Sequence, residues 1–496
     1  MSQLFGRALL LCCLTFLTFS FPTNGAETST PNIVFIFIDD MGYGDLSCFR
    51  DLGADGWDSS TIDYYPETTH IDQLAAEGVR LTNFYVASPI CSPSRVACTT
   101  GQFPSRHLIN SYLNNRKRNR ARGMADYLRS DIPTIAKAFQ SNGYATAHFG
   151  KWHQGGGRDV DDAPLPTEYG FDESLVSFEG LGDRILPPGG LSDQSEKLNR
   201  GTVTRVEKHE QTPIYIDRSI EFIKRNKENP FYLHLWLNDV HDAHNPAPGT
   251  AEEFASVTSN PNEQNFFAVL VEMDEQIGRL INAIDSEGLD DNTLVLLTSD
   301  NGPTAWARYY KTEHLPAGST AGFRGRKWSL YEGGIRMPMI ARWPGKIAPN
   351  SINKQLIFST VDFFPTLTSL VGIELSSVLA ANGVDSSADE YFDGEDLGQQ
   401  LLTGKGQRTR PLFWEYGRDP SYLRPGLVED QSPNLAVRDG RWKLLINADG
   451  SDVQLYDLKA SDTEVDDVSE DHPRITQRLR RQLLKWREDL PSLPEE

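Results

Sequence analysis

The run NIVFIFID (residues 32–39) decides the fold class of this chain, because Ile, Val and Phe fill it almost without interruption. A short strand that is apolar on both faces is typical of a parallel sheet with helices on both sides. The runs FYLHLWLND (residues 231–239) and TLVLLTSD (residues 293–300) have the same composition. The sequence therefore predicts three buried strands of one sheet.

Segments with helical features lie between these strands. They include IDQLAAEGV (residues 71–79), IPTIAKAFQSNG (residues 132–143) and FFAVLVEMDEQIGRLINAID (residues 266–285), the last with apolar residues at helical spacing. Alternation of such segments with buried strands predicts an α/β fold, with a large, mixed but mostly parallel sheet flanked by helices.

The pattern changes after about residue 405. The segment LAVRDGRWKLLINADGSDVQLYDL (residues 435–458) predicts a meander of short antiparallel strands joined by Asp-Gly turns. The segment HPRITQRLRRQLLKWREDL (residues 472–490) predicts one amphipathic helix. We therefore expect a main domain over residues 27–405 and a small α+β domain, an antiparallel sheet plus a terminal helix, over residues 406–496.

Residues 1–26 have the layout of a secretory signal peptide. Arg7 precedes an apolar run over residues 8–21, and small residues lead up to Ala26. The run is too short to cross a bilayer comfortably, and no later run in the sequence is apolar for long enough. We therefore expect cleavage near Ala26, export to the periplasm or the medium, and no membrane partner.

The net charge argues against one class of partner. The chain carries 48 Lys and Arg against 69 Asp and Glu, a formal net charge of -21 at pH 7. Loss of residues 1–26 removes one arginine and no acid, which makes the mature charge -22. Such a surface repels polyanions at long range, so we expect no nucleic acid partner.

The mature chain keeps three cysteines, too few for a disulfide framework. Cys48 and Cys98 are interpreted as small buried apolar residues, and a bridge between them stays an open alternative. Cys91 differs, because it lies among turn and polar residues in SPICSPSRVACTTG (residues 88–101).

Polar residues follow two of the predicted strands. FIFIDD ends in Asp39 and Asp40, and LLTSDNG contains Asp300 and Asn301. Ligands of open parallel sheets bind beyond the carboxyl ends of the strands. Three carboxylates and an amide oxygen are hard donors that suit Ca²⁺ or Mg²⁺, although each pair alone is also typical of a turn.

Three further segments carry cationic or titratable residues. Together with Arg95 they predict a cationic pocket that suits a compact oxyanion held against a divalent ion, with histidines for proton transfer. The residues are Lys151 and His153 in HFGKWH, His241 and His244 in VHDAHNP, and Lys327 and Arg336 in GRKWSLYEGGIRMP.

The sequence CSPSR (residues 91–95), followed by Thr100 and Gly101, resembles the signature of the type I, formylglycine-dependent sulfatases, the arylsulfatase-like enzymes of the alkaline phosphatase superfamily. The resemblance runs from about residue 31 to the C-terminus, through PNIVFIFIDDMGYGDL, GKWH, EGGIRMP, AVRDGRWKLL and QLYDL. It implies that a formylglycine-generating or equivalent enzyme oxidises Cys91 to Cα-formylglycine. The implied ligands of Ca²⁺, with Mg²⁺ as the second candidate, are Asp39, Asp40, Asp300, Asn301 and the oxygen of modified Cys91.

The resemblance also implies how the chain releases inorganic sulfate from a sulfuric ester. Arg95 would hold the hydrated formylglycine, and Lys151 and Lys327 would bind the sulfate group. A hydroxyl of the hydrated aldehyde would attack sulfur while the metal and Asp300 help to remove its proton. His153 would deprotonate the second hydroxyl, which expels sulfate and restores the aldehyde.

The remaining histidine of the family lies in an H-x-P sequence, for which this chain offers His241 or His244. His241 lies eleven residues after Pro230, the spacing that the resemblance favours, although Ala243 replaces the proline. We therefore assign to His241 the protonation of the departing alcohol, with His244 as a nearby substrate contact.

Two alternatives to a sulfatase of sulfated carbohydrates, with aryl sulfates as surrogates, stay open. One is a phosphatase or phosphodiesterase of the same superfamily, which typically binds two transition metals. The other is a non-catalytic polyanion-binding protein, supported only by the basic run RKRNRAR (residues 116–122). In a sulfatase, this run is expected to form a loop with an outer subsite for an anionic oligosaccharide.

Overall fold

The computed structural model describes residues 30–189, 191–307 and 317–493. The predicted signal peptide, residues 1–26, lies outside the described residues. Within them, no single helix is long and apolar enough to cross a membrane, although the pair Thr360–Leu370 and Leu375–Ala381, bent by 104°, meets a length and composition test.

A sheet of eleven strands forms the centre of the described chain, in the order β10-β2-β9-β8-β1-β7-β3-β4-β5-β6, with β11 beside β2. All pairs are parallel except those of β9, which runs antiparallel to both neighbours. The prediction of a mixed, mostly parallel sheet is therefore confirmed. The strands are β1 (Asn32–Ile38), β2 (Val79–Tyr85), β3 (Ala145–Lys151), β4 (Glu173–Ser177), β5 (Arg184–Leu186), β6 (Val203–Arg205), β7 (Phe231–Leu237), β8 (Thr293–Ser299), β9 (Arg336–Arg342), β10 (Ser351–Asn353) and β11 (Phe358–Ser359).

Helices cover both faces of this sheet. The α-helices are α1 (Ser47–Arg50), α2 (Thr69–Ala76), α3 (Cys91–Thr100), α4 (Arg116–Ala121), α5 (Ile135–Ser141), α6 (Gln194–Lys197), α7 (Lys208–Asn226), α8 (Pro261–Ser286), α9 (Glu332–Ile335), α10 (Phe363–Leu370), α11 (Leu375–Ala381), α12 (Ala388–Tyr391), α13 (Gly398–Thr403) and α14 (Pro473–Glu488). Short 3₁₀ turns are found at Ser59–Thr61, Pro104–His107, Pro166–Tyr169, Ala251–Phe254, Asp290–Asn292, Thr360–Asp362 and Val428–Asp430.

The burial of strand β1 explains why its sequence is an uninterrupted apolar run. Alternate side chains of a strand point to opposite faces, and both faces of β1 are buried. Phe35 and Phe37 pack with α3, α5 and α10, whereas Ile36 and Ile38 pack with α2, α7 and α8. A strand buried on both sides in this way has no face left for polar side chains.

The register of the central strands brings their carboxyl ends together. Ile38 of β1 lies opposite Leu237 of β7 and Ser299 of β8. The residues that follow these three positions therefore emerge side by side at one edge of the sheet, where β3 also ends at Lys151.

A second sheet follows, antiparallel throughout, with strands β12 (Leu412–Glu415), β13 (Leu435–Asp439), β14 (Trp442–Ile446) and β15 (Gln454–Asp457) in that order. Helix α14 packs on it through Leu479 and Leu483. The predicted meander and terminal helix are therefore confirmed, whereas the domain boundary near residue 406 stays a prediction.

Buried ion pairs join the second sheet to helix α9 and to the segment after β15. Lys443 of β14 lies 2.8 Å from Glu332 and 2.8 Å from Glu464, and all three side chains are buried. Elsewhere in the described chain, Cys48, Cys91 and Cys98 are free thiols, so the open alternative of a Cys48–Cys98 bridge is not adopted.

Candidate active site

Helix α3 carries the signature cysteine at its first position, and all ten of its residues are buried. Gly101 ends the helix in the left-handed region, with φ of 67°. A β-carbon there would lie 3.0 Å from Phe364 and 2.9 Å from Phe392, so glycine fits this position for both conformation and space. The Thr-Gly pair of the signature therefore closes the helix that presents Cys91.

Arg95, one turn after Cys91, fixes the helix against the sheet edge. Its guanidinium donates to the Lys151 carbonyl at 3.0 Å and to the Asp300 carboxylate at 2.5 Å. The same group lies 5.1 Å from the ring centre of Trp236, a cation–π contact. Arg95 thereby links α3 to the ends of two strands and to the aromatic layer beneath them.

The predicted metal ligands converge at this edge. The Asp40 amide donates to Asp300 at 3.2 Å, and the Asn301 side-chain amide donates to Asp40 at 2.7 Å. Four residues each place one possible ligand atom within 4.8 Å of the ligand atoms of the others. These residues are Asp39, Asp40, Cys91 and His241. The side-chain oxygen of Asn301 is buried and makes no hydrogen bond within the described chain, which suits a cation ligand.

Cations balance these carboxylates. Lys151 pairs with Asp39, and its ammonium lies 3.3 Å from the Cys91 sulfur. Lys327 donates to both oxygens of Asp40, at 2.5 and 2.6 Å. With Arg95 these lysines offset three buried acids, so a divalent ion would make the site net positive and suited to an anion.

The charges shift the pKa values of the site. Burial alone would raise the pKa of Asp39. The charges of Lys151 and His241 outweigh burial and hold this pKa well below its ordinary value. Burial and the Asp39 carboxylate raise the pKa of Asp300. Burial and Asp39 also raise the pKa of the Cys91 thiol, which stays protonated at neutral pH and is then a weak nucleophile.

His241 faces the carboxylates from the loop after β7. Its Nε2 atom lies 3.7 Å from Asp40, and its Nδ1 atom lies 2.5 Å from the Asp242 carbonyl oxygen. Because a carbonyl only accepts, Nδ1 carries the proton and Nε2 faces the site. Burial lowers the pKa of His241 to about 4, and a bound anion would raise it.

The other two predicted histidines differ in placement. His153 is buried beside Phe178, with ring centres 4.4 Å apart, and burial lowers its pKa well below the ordinary value. His244 instead points Nε2 at the Val240 carbonyl, 3.0 Å away, and packs against Phe266. Its Nε2 atom is thus engaged within the loop, and the role of His244 as a substrate contact stays a prediction.

Arg336 also lies outside the cationic pocket in which the sequence placed it. It begins β9, donates to the Thr82 carbonyl at 2.7 Å and pairs with Asp462 at 2.9 Å. This arginine belongs to the contact between the main domain and the segment after β15.

The basic run over residues 116–122 is helix α4 with its C-terminal cap, and the prediction of a loop is wrong. Arg116 pairs with Asp126 at 3.0 Å, among other acids. Arg122 is buried and lies over the ring of Tyr112, 4.3 Å from its centre. These two cations are engaged within the protein, which weakens the expectation of an outer subsite.

A pocket of about 530 Å³ opens beside the charged cluster and is lined by Asp39, Lys151 and His241 among others. Sequence analysis missed several further lining residues, because they lie on strand ends, on a helix and in loops that carry no motif. These residues are Ser177, Phe178, Leu186, Leu191, Lys208, Gln211, Asn238 and Asn245.

The match to a family model over most of the chain, together with curated relatives, identifies a hydrolase of the alkaline phosphatase superfamily. Residues 31–373 match the family described as Sulfatase, and residues 322–489 match the family described as N-sulphoglucosamine sulphohydrolase, C-terminal. The chain belongs to the sulfatase family, and the enzyme is a sulfatase. Membership of that family sets aside both alternatives, the phosphatase and the non-catalytic binding protein.

Relatives of known identity span nearly the whole chain. It is 29% identical to N-acetylgalactosamine-6-O-sulfatase of Bacteroides thetaiotaomicron, over 92% of this chain and 93% of that protein. It is 31% identical to human arylsulfatase A, over 86% and 76% of the two chains. A crystal structure of Ps i-CgsB in complex with k-i-k-neocarrahexaose shares the fold, with a TM-score of 0.71, 22% identity and coverage of 93% and 94%.

Proposed function

We propose that this enzyme hydrolyses a sulfate ester of a carbohydrate, through a formylglycine made from Cys91, and that it acts after export. The observation that carries the proposal is the position of Cys91. It begins a buried helix, lies 3.3 Å from the Lys151 ammonium, and shares a 4.8 Å cluster with two carboxylates and His241.

Two groups would complete this site. Oxidised to Cα-formylglycine, Cys91 would supply a hydrated aldehyde with two hydroxyls on one carbon, one for attack on sulfur and one for the release of sulfate. A Ca²⁺, or Mg²⁺ as the second candidate, would offset negative charge on the sulfuryl oxygens. The residues that would hold the ion are Asp39, Asp40, Asp300 and Asn301.

The cations of the chain bind and orient the sulfate group. Lys151 and Lys327 approach the cluster from two sides and are buried, so their attraction to an anion is only weakly screened. Each is held by a carboxylate before the substrate binds, which limits its motion. Arg95 is fixed by Asp300 and by an aromatic ring, and its hydrogen bond to the Lys151 carbonyl ties α3 to the end of β3.

The histidines move protons. His241 presents Nε2 to the cluster and lines the pocket, where the departing alcohol oxygen would lie. A bound sulfate group favours the imidazolium form, which carries a proton on Nε2 as well as on Nδ1, and this Nε2 proton passes to the departing oxygen. His153 is buried, lies two residues after Lys151 and serves as the base for the second hydroxyl. Burial keeps His153 neutral, which is the form that accepts a proton.

The pocket favours a saccharide. Apolar side chains of Phe178, Leu186 and Leu191 line it together with the amides of Gln211 and Asn238. Sugar rings offer C–H faces and hydroxyl edges that match such a mixed lining. The similarity to a protein named N-acetylgalactosamine-6-O-sulfatase supports the same substrate class.

Sulfate release from defined sulfated mono- and oligosaccharides, with an aryl sulfate as surrogate, tests the substrate class. We expect one saccharide sulfate to be turned over with a higher kcat/KM than the aryl ester. Activity on aryl sulfates alone would contradict the carbohydrate assignment.

Mass spectrometry of the peptide that contains Cys91 tests the nucleophile. In a host with a maturing enzyme, we expect the peptide to lose its sulfur and gain an aldehyde. Cys91→Ala should abolish sulfate release, and Cys98→Ala, also buried on α3, is the matched control. Full activity in protein that carries only the thiol would overturn this assignment.

A further inference from the structure

The loop over residues 238–245 joins β7 to the rest of the chain and carries His241. Three of its backbone carbonyls accept hydrogen bonds from a side chain of another element. His241 directs its Nδ1 atom to the Asp242 carbonyl of the same loop. The direction of Nε2 therefore follows the loop backbone.

Lys208, the first residue of α7, binds this loop through three carbonyl groups. Its ammonium donates to Asp239 at 3.2 Å, to Ala243 at 2.8 Å and to the carbonyl of His241 itself. An ammonium group has three N–H donors and no acceptor, so these bonds use its full capacity. None of its donors is left for a bound substrate, although the side chain lines the pocket.

The same face of α7 adds two more contacts. Thr212 donates its hydroxyl to the Asp239 carboxylate at 2.7 Å, and Gln211 accepts from the Asn238 amide at 3.3 Å. Positions three and four residues after Lys208 share its side of the helix. The first turn of α7 is therefore a clamp on the loop, with Lys208 at its centre.

We propose that Lys208 is a positioning residue that sets the direction of His241 for proton delivery to the leaving group. This inference rests on the proposed role of His241 as the acid. Its physical basis is that the three carbonyls, one of them from His241, converge on one cation. Without that cation they would repel one another, and the loop would open toward water.

The expected effect of losing Lys208 on the rate depends on the leaving group of the substrate. A saccharide alcohol needs a proton as it departs, whereas 4-nitrophenolate departs without one. General acid catalysis contributes about 10²- to 10⁴-fold, and misplacement by about 1 Å can remove about 10²-fold. Loss of Lys208 should therefore slow saccharide sulfates far more than 4-nitrophenyl sulfate.

The test compares Lys208→Met with Lys224→Met, an exposed lysine in the last turn of the same helix. In Lys208→Met we expect kcat on the saccharide sulfate to fall at least about 10-fold, kcat on 4-nitrophenyl sulfate to fall less than about 3-fold, and both KM values to stay near wild type. Amide hydrogen exchange over residues 238–245 should accelerate in Lys208→Met alone.

Lys208→Arg is the second variant, because it keeps a cation in case the methionine protein does not fold. A planar guanidinium cannot direct its donors to three converging carbonyls as an ammonium does. We therefore expect kcat on the saccharide sulfate to fall more than kcat on 4-nitrophenyl sulfate, with a smaller difference than in Lys208→Met. A wild-type ratio of the two kcat values in Lys208→Arg would overturn the proposal.

Three other outcomes would also overturn it. Equal losses of kcat on both substrates would indicate general damage, and a raised KM with unchanged kcat would assign Lys208 to substrate binding. Unchanged exchange over residues 238–245 would show that Lys208 does not hold the loop. Failure of the wild-type enzyme to release sulfate would refute the proposed function, while the exchange comparison would still decide whether Lys208 clamps the loop.

Discussion

Replacement of His234 with Phe should remove one source of acid sensitivity from the fold. His234 lies in β7, fully buried, with its ring stacked on Trp236 at 4.9 Å and near Phe35 and Phe171. Burial lowers its pKa to about 3 from an ordinary value of 6.5. The folded protein therefore keeps this ring neutral at a pH where the unfolded chain protonates it.

The sign and the size follow from proton linkage. Below pH 6.5 the unfolded state binds one more proton than the folded state, so stability decreases as the pH falls from 6.5 toward 3. At pH 5 the difference spans 1.5 pH units at about 1.36 kcal/mol each, or about 2 kcal/mol. His234→Phe should lose that much less stability between pH 7 and pH 5.

Urea unfolding followed by tryptophan fluorescence measures this difference. Each protein is unfolded at pH 7 and at pH 5, and only the change with pH is compared. The lost hydrogen bond to the Tyr232 hydroxyl weakens the variant equally at both pH values, so it cancels. Calorimetry at pH 5 should also show about one proton fewer taken up when the variant unfolds. Identical pH dependence in the two proteins would refute the reasoning.

Three further predictions concern the charged groups. Asp300→Asn should lower bound metal and sulfatase turnover together, as metal analysis and kcat would show; full turnover without metal would contradict the assigned ligands. Lys327→Met should reduce kcat/KM at least about 10²-fold, because a buried cation on the sulfate group is lost, and Lys346→Met is the surface control. Lys443→Met should lower the free energy of unfolding by about 3–5 kcal/mol, seen as a lower melting temperature, because Glu464 loses its buried partner and Glu332 keeps only arginines at 3.4 and 4.0 Å. An unchanged melting temperature would show that the two carboxylates are accommodated without the lysine.

The sequence predicted what local pattern controls. The apolar runs placed β1, β7 and β8 correctly, because a strand buried on both faces leaves no polar alternation to confuse the assignment. Asp40 and Asp300 were paired correctly, because adjacent strands end at one sheet edge. Both inferences need only periodicity and a general rule of sheet topology.

Residues placed by tertiary contacts were missed or misplaced. Lys208 lies at the start of α7, whereas the loop that it binds follows β7. No fixed spacing in the sequence links the two, so the contact could not be predicted. Arg336 is close to Lys327 in sequence, but the start of β9 directs it toward Asp462. His244 follows His241 by three residues, yet the loop turns it toward Phe266.

The complete burial of α3 has a consequence for the order of events in the life of the protein. Cys91 is only 2% exposed, and its helix is enclosed on every side. An enzyme that oxidises a side chain must hold the surrounding peptide in its own cleft, which requires an accessible, extended segment. Under the proposed maturation, Cys91 is therefore modified on the newly made chain, before the sheet and its helices close around α3. A molecule that folds before modification keeps its thiol and stays inactive. The active fraction of a preparation therefore depends on the rate of modification relative to the rate of folding.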